Sequence, residues 1–274
     1  MSEAKGLVFL HIPKTGGNTL KRIIQHNYPS DQIFHGEYVP QMLAFAEMPE
    51  SERRQFRIAL GHCFYGFHEY MLRDCSYVTL FRHPVKRVIS QYRHYLRDLR
   101  RQGTTTPLPI DEFIQTYPFY AEYQLRFILG GHSSPEVHHT PLPGDALDRA
   151  SQHLAGSFPV IGVLERFDES LLLMKRAFGW RNIYFARQNV NRIVTFDQRK
   201  NAAAIAWVET KVELDMALYQ DANRRLDQAI LEWGEDFQQE LRRFRRNNMF
   251  YGILWNNVQA IRKWHLWRRK SPLS

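Results

Sequence analysis

Residues 6–20, GLVFLHIPKTGGNTL, constrain the fold more than any other stretch of the chain. Leu7, Val8, Phe9, Leu10 and Ile12 make a nearly continuous apolar run, the pattern of a parallel strand covered on both faces. Pro13 ends that strand, Gly16 and Gly17 allow a turn in which backbone approaches a ligand closely, and Asn18, Thr19 and Leu20 lead into a helix. A strand that breaks through glycines into a helix start aims free N–H groups and the positive end of a helix dipole at one point, which suits a phosphate. Thr15 and Thr19 add hydroxyls to that cradle, and Lys14 adds a full charge.

Spacing narrows the ligand. A nucleoside-triphosphate loop is G-x-x-x-x-G-K-[ST], with lysine after the last glycine, whereas Lys14 precedes both glycines here. A second stretch, residues 76–92, reads SYVTLFRHPVKRVISQY. Residues 77–81 are strand-like, Arg82 follows the strand, Pro84 suits a first helical turn, and Val88, Ile89, Tyr92 and Leu96 repeat at helical spacing. Arg82 and Ser90 can then face one ligand from a strand end and from two turns into the next helix. A triphosphate enzyme normally sets an acid for Mg²⁺ at such a strand end; this chain sets a fixed cation there. Residues 57–61, RIALG, form a further strand that delivers His62 to the sheet edge where ligands bind in open parallel sheets.

In PKTGGNT and in the Arg82 and Ser90 pair, the chain resembles the sulfotransferases that use 3′-phosphoadenosine 5′-phosphosulfate (PAPS). The closest resemblance is to the heparan-sulfate 2-O- and 6-O-sulfotransferase branch, whose loop reads much like HIPKTGG. The resemblance implies an α/β, P-loop-type three-layer fold with a central, mainly parallel sheet flanked by helices. It implies transfer of a sulfuryl group from PAPS to an acceptor hydroxyl, with a glycan favoured and no metal required. Lys14, Thr15, Gly16, Gly17, Asn18 and Thr19 would hold the 5′-phosphosulfate, and Arg82 and Ser90 the 3′-phosphate. Lys14 would also neutralise the leaving phosphate oxygen. His62, in its Gly61-His62 setting, is the expected base, with His68 in reserve. Glu165 and Asp168, in an E-x-F-D-x-S run also similar to the family, are read as structural. Residues 187–192, RQNVNR, correspond loosely to a family segment near the cofactor. Animal members are luminal and carry an N-terminal anchor; this chain departs from them, so a soluble, bacterial-type, cytoplasmic relative is expected.

Composition supports a core and withdraws some partners. With 274 residues and 44% hydrophobic content, one large α/β domain is expected. The first strand starts within a few residues of Met1, leaving no room for a signal peptide, and no run is apolar for the ~18 residues that suggest a membrane span. Cys63 and Cys75 are the sole cysteines, which indicates neither a disulfide scaffold nor a cysteine zinc site. The net charge of +9 is concentrated in residues 241–274, which hold nine Lys and Arg and no acid, leaving 28 of the 37 cations to face all 28 acids. The body is neutral overall, so a nucleic-acid partner is not expected.

The expected division is therefore a sulfotransferase domain over 1–240 and a basic amphipathic extension over 241–274. In the extension, Phe250, Ile253, Leu254, Val258, Ile261 and Trp264 would share one helix face. Such a helix can pack on its own domain or lie on the inner membrane surface. Residues 103–109 and 130–144 read as acceptor-side loops, with the adjacent His138 and His139 solvated rather than metal-bound. Residues 198–230 read as mostly helical. Two other function classes fit parts of this pattern, an ATP-dependent small-molecule kinase of P-loop architecture and a non-catalytic membrane-associated binding protein.

Overall fold

The computed structural model describes residues 5–37, 39–103, 106–130, 140–186 and 196–270. The apolar run after Gly6 forms β1 (Gly6–Leu10), buried at every position. It lies in the middle of a five-stranded sheet with β2 (Ile33–Gly36), β3 (Ile58–Gly61), β4 (Cys75–Phe81) and β5 (Val160–Val163), in the order β2-β3-β1-β4-β5. Every pairing is parallel, with Val8 opposite Ala59 on one side and Tyr77 on the other. From β1 the chain crosses to β2 and returns through β3, then passes β1 to reach β4. All strand carboxyl ends thus meet at one edge, on either side of the point where the winding reverses.

Helices flank the sheet, as expected. They are α1 (Gly17–Asn27), α2 (Val39–Glu47), α3 (Glu50–Arg53), α4 (Pro84–Arg101), α5 (Ile110–Thr116), α6 (Tyr123–Leu129), α7 (Ala146–Ser157), α8 (Phe167–Phe178), α9 (Ala202–Glu209), α10 (Glu213–Trp233) and α11 (Asp236–Lys270). Gly179, with φ 66°, ends α8 in the left-handed conformation that its position after Phe178 predicts. The stretch 198–230 is two helices, because the chain turns at Thr210 and Lys211 and buries Val212 between α9 and α10. A smaller core, built from Val88 and Tyr92 of α4 with Phe113 of α5 and Val208 of α9, sits beside the main one. The His138 and His139 pair, residues 187–192 and part of the 103–109 loop lie outside the described residues.

Two carboxylates, Asp215 fully buried and Glu122 half-buried, lock α6 to α10. Asp215 accepts the backbone N–H groups of Gln124 (3.2 Å) and Leu125 (2.8 Å), while Glu122 accepts those of Leu214 (3.0 Å) and Asp215 (2.6 Å). Each helix start therefore has its free donors met by an acid from the other. Arg87, fully buried on α4, lies over the Tyr123 ring at 5.1 Å and donates to the Tyr120 carbonyl. This clamp fixes α6, and with it Gln124, against the end of β4.

The expected boundary at residue 240 falls inside α11, which runs unbroken from Asp236. Phe237, Leu241 and Phe244 bury one face of its first turns in the main core, and Arg245 pairs with Asp168 at 3.2 Å. Hydrophobic burial therefore carries the body past the position where the charge changes. Phe244→Ala should lower unfolding free energy by about 3–5 kcal/mol, whereas the exposed Phe250 changed to Ala should stay within about 0.5 kcal/mol; chemical denaturation measures both.

Candidate active site

Residues that follow β1, β2 and β3 line one cleft, and the end of β4 backs it through the bond of Arg82 to Lys14. His11 and Lys14 follow β1, Glu37 follows β2, His62 follows β3 and Arg82 follows β4. The cleft holds about 650 Å³, and Lys14, Gly16, Gly17, Asn18 and His62 line it together with His11. Across from this loop the wall is formed by Gln91 and His94 of α4 and by Tyr120, Tyr123 and Phe127 around α6.

The turn from β1 to α1 is held by its carbonyl groups. The Thr79 hydroxyl donates to the Leu10 carbonyl (2.8 Å), His62 Nδ1 to that of His11 (2.8 Å), the Thr15 hydroxyl to that of Ile12 (2.8 Å) and Arg82 Nη1 to that of Lys14 (2.9 Å). Side chains from within β4, from the residues that follow β3 and β4, and from the loop itself thus satisfy the acceptors of this turn. No side chain caps α1 at Gly16; the Thr19 N–H is taken by the Gly16 carbonyl at 3.2 Å, while Gly17 and Asn18, whose N–H groups precede any partner within the helix, line the cleft. Lys14 adopts φ 71° and Gly16 φ 85°, so two left-handed residues turn the chain from strand to helix.

The glycines do more than admit a ligand. A Cβ on Gly17 would lie 2.0 Å from His11 Cδ2, and one on Gly16 would lie 2.4 Å from Leu164 Cδ1. Gly17 makes room for an imidazole of this chain, and Gly16 for the residue after β5. Thr15 also departs from expectation. Its side chain is 1% exposed and its only hydroxyl proton is donated to the Ile12 carbonyl, so it stabilises the cradle from within.

His62 is prepared as a proton acceptor. A carbonyl can only accept, so the bond to His11 places the proton of the neutral ring on Nδ1 and leaves Nε2 with its lone pair. Burial lowers the His62 pKa below 6.5, the charges of Lys21 and Lys14 lower it further, and the bond to the His11 carbonyl partly opposes them. The ring stacks on His11, with centroids 4.8 Å apart, and His11 in turn stacks on Phe9 at 5.3 Å. Burial and the neighbouring His62 push His11 down to about 3, so it is neutral and acts as a spacer between the base and the loop. Lys14 is lowered to about 8 by burial, with the Arg97 charge adding to the effect.

The other expected site residues are distributed more widely. Arg82 meets the site through the Lys14 carbonyl, and its buried Nε has no protein partner among the described residues. Gln124 fixes the Arg82 backbone by exchanging two 2.9 Å bonds with it, amide oxygen to N–H and amide nitrogen to carbonyl. Ser90 lies half-buried on α4 but does not line the cleft, and Thr19 lines a small neighbouring cavity with Arg22, Tyr184 and Trp255. His68 does not line the cleft; its Nδ1 is bonded at 2.8 Å to the Tyr77 hydroxyl. Glu165 accepts the His83 N–H at the start of α4 and Asp168 pairs with Arg245, both structural roles as expected. Sequence reasoning missed Gln124, whose signal is a polar residue beside Leu125 and Ile128 on the buried face of α6. It also missed His94, the salt bridge of Lys21 with Glu37, and His11.

Residues 1–123 match the model of the sulfotransferase family. The matched region runs from β1 to the start of α6 and so contains Lys14, His62, Arg82 and Ser90. No curated protein matches the chain. Among solved structures, a sulfotransferase from Alicyclobacillus acidocaldarius is 14% identical over 80% of this chain and 96% of that one, with a TM-score of 0.46. A mouse sulfotransferase, SULT7A1, complexed with PAP, is 14% identical over 89% of each chain, with a TM-score of 0.38. These likenesses are too loose to bear on activity, and none of the comparisons singles out the heparan-sulfate branch. Among the described residues, no group of His, Cys, Asp or Glu is arranged to hold a metal.

For this sulfotransferase-matching region the imidazole chemistry is directly measurable. In a ¹⁵N NMR titration, His62 should show the Nδ1-protonated neutral form and a midpoint below 6.5. A midpoint above that value, or an Nε2-protonated ring, would remove it as the base.

Proposed function

We propose that the protein is a PAPS-dependent sulfotransferase that acts on an acceptor hydroxyl, with a glycan as the favoured acceptor class. The observation that carries the proposal is the meeting of Lys14, the uncapped start of α1 and the free Nε2 side of His62 at one cleft. The residues fit an anionic donor, since Lys14 and the first N–H groups of α1 face the cleft and Arg82 Nε is buried without a protein partner. When bound, the donor supplies a sulfuryl group carried on a phosphate leaving group. Gly16, Gly17 and Asn18 would hold the 5′-phosphosulfate through backbone N–H groups, with Thr19 at the next position of the helix. Arg82 and Ser90 remain the proposed holders of the 3′-phosphate.

Lys14 would meet the charge that develops on the leaving oxygen, where a fixed cation in a partly buried site acts more strongly than in water. His62 Nε2 would take the proton of the acceptor hydroxyl, while the bond to the His11 carbonyl keeps Nδ1 protonated and the ring oriented. Tyr120, Tyr123 and Phe127 give the acceptor side flat apolar surface on which a sugar ring can stack. The neutral charge of the chain outside 241–274 is in keeping with an enzyme whose recognition rests on a few placed groups, and a cytoplasmic location is part of the proposal.

Two measurements test this reading. Lys14→Ala should lower turnover by about 10²–10³, and His62→Ala by about 10²–10⁴ with unchanged affinity for adenosine 3′,5′-bisphosphate. Full activity in both variants, or stabilisation by ATP with Mg²⁺ but not by the bisphosphate, would sink it in favour of a kinase. For the wild type, kcat/KM should fall on the acid side below 6.5, as His62 gains its proton, and on the alkaline side near pH 8, as Lys14 at about 8 loses its charge.

A further inference from the structure

We infer that the carboxyl-terminal half of α11 is a docking surface for an anionic lipid bilayer. Met249, Phe250, Ile253, Leu254 and Val258 are 46–65% exposed. Phe250, Leu254 and Val258 follow one another at steps of four, and Met249 and Ile253 form the adjacent row, so the five make one continuous apolar stripe on a helix.

The stripe is held outward by contacts on the adjoining face of the helix. Asn248 accepts the Phe185 N–H at 2.8 Å, Asn247 donates to the Tyr184 hydroxyl at 3.3 Å, and Tyr251 stacks on Tyr184 with centroids 6.1 Å apart. Trp255 stacks on Tyr251 at 6.2 Å. These contacts fix the helix with the stripe exposed.

Charge selects the occupant. Residues 241–274 contain nine Lys and Arg and no acid. Arg242 and Arg246 are exposed before the stripe, and Arg262, Lys263, Arg268, Arg269 and Lys270 follow it in sequence, with Trp264 and Trp267 among them. A second copy packed on the same stripe would set these cations against their like. Nucleic acid would meet the cations but leave the apolar stripe in water. An anionic bilayer satisfies both, with apolar side chains below the headgroups and cations among the phosphates. Among the described residues no helix is long and apolar enough to cross a membrane, so α11 lies in the interface plane. Tyr251 and Trp255 also line the small cavity beside Thr19 and Arg22 of α1, so docking holds the anion-binding helix near the bilayer.

The test is sedimentation of the full chain with vesicles, half phosphatidylglycerol and half phosphatidylcholine, against vesicles of phosphatidylcholine alone. Binding should be at least about tenfold stronger to the anionic vesicles, should weaken in high salt, and should shift tryptophan emission to the blue. The double variant Phe250→Ser with Leu254→Ser should lose about tenfold or more of that binding while its melting temperature is unchanged. Equal binding to both vesicles would overturn the inference, as would anionic binding that the double variant retains in full. So would a lipid-free dimer of the wild type that the double variant lacks, seen by light scattering, because the stripe would then belong to a second copy.

Discussion

The bond from the Arg82 guanidinium to the Lys14 carbonyl joins the end of β4 to the turn after β1, and the site depends on that junction. A left-handed lysine is costly on its own and persists only where its surroundings over-determine it. Here the carbonyl groups of Leu10, His11, Ile12 and Lys14 each take a side-chain donor, three of them from β3 and β4 or the residues just after them. Arg82 is itself fixed by the buried amide of Gln124, which α6 holds in place and which Asp215 and Glu122 tie to α10. A cradle on a loop thereby gains the rigidity of the sheet and of a helix far away in the chain.

The electrostatics follow from the same packing. Burial at the cleft disfavours every positive form, and the nearby charges of Lys14, Lys21, Arg82 and Arg97 add to it, which lowers Lys14 and keeps His11 and His62 neutral. An anion in the cleft would reverse the sign of that environment for Lys14 and favour its charge. The site is thus arranged to hold a base and a cation close together, two functions that in open solution would act against each other.

Much of the fold was legible because it is local. The apolar run of β1, the proline at the start of α4 and the glycine after α8 each declare an element by their own spacing, and each stands where expected. The places of Lys14 and His62 were legible for the same reason, since each follows a predicted strand, and both line the cleft. Thr15 was read outward although it points inward, because sequence spacing does not say which acceptor a hydroxyl will find. His68 was held as an alternative base, but the Tyr77 hydroxyl lies within its reach and not the cleft. The boundary at 240 followed charge, yet Phe244 beyond it is core.

The sequence by itself determined the alternation of strands and helices, the glycine turn with its preceding lysine, the neutral body and the basic end. These depend on neighbours in the chain and on composition. Tertiary structure decided which proton His62 carries, why Gly17 must be glycine, and what holds Arg82, because each depends on groups brought together from distant positions. His11 shows the difference best: in the sequence it is one residue of a strand end, and in the fold it spaces the base from the cradle, since only the assembled sheet sets Phe9, His62 and Gly17 around its ring.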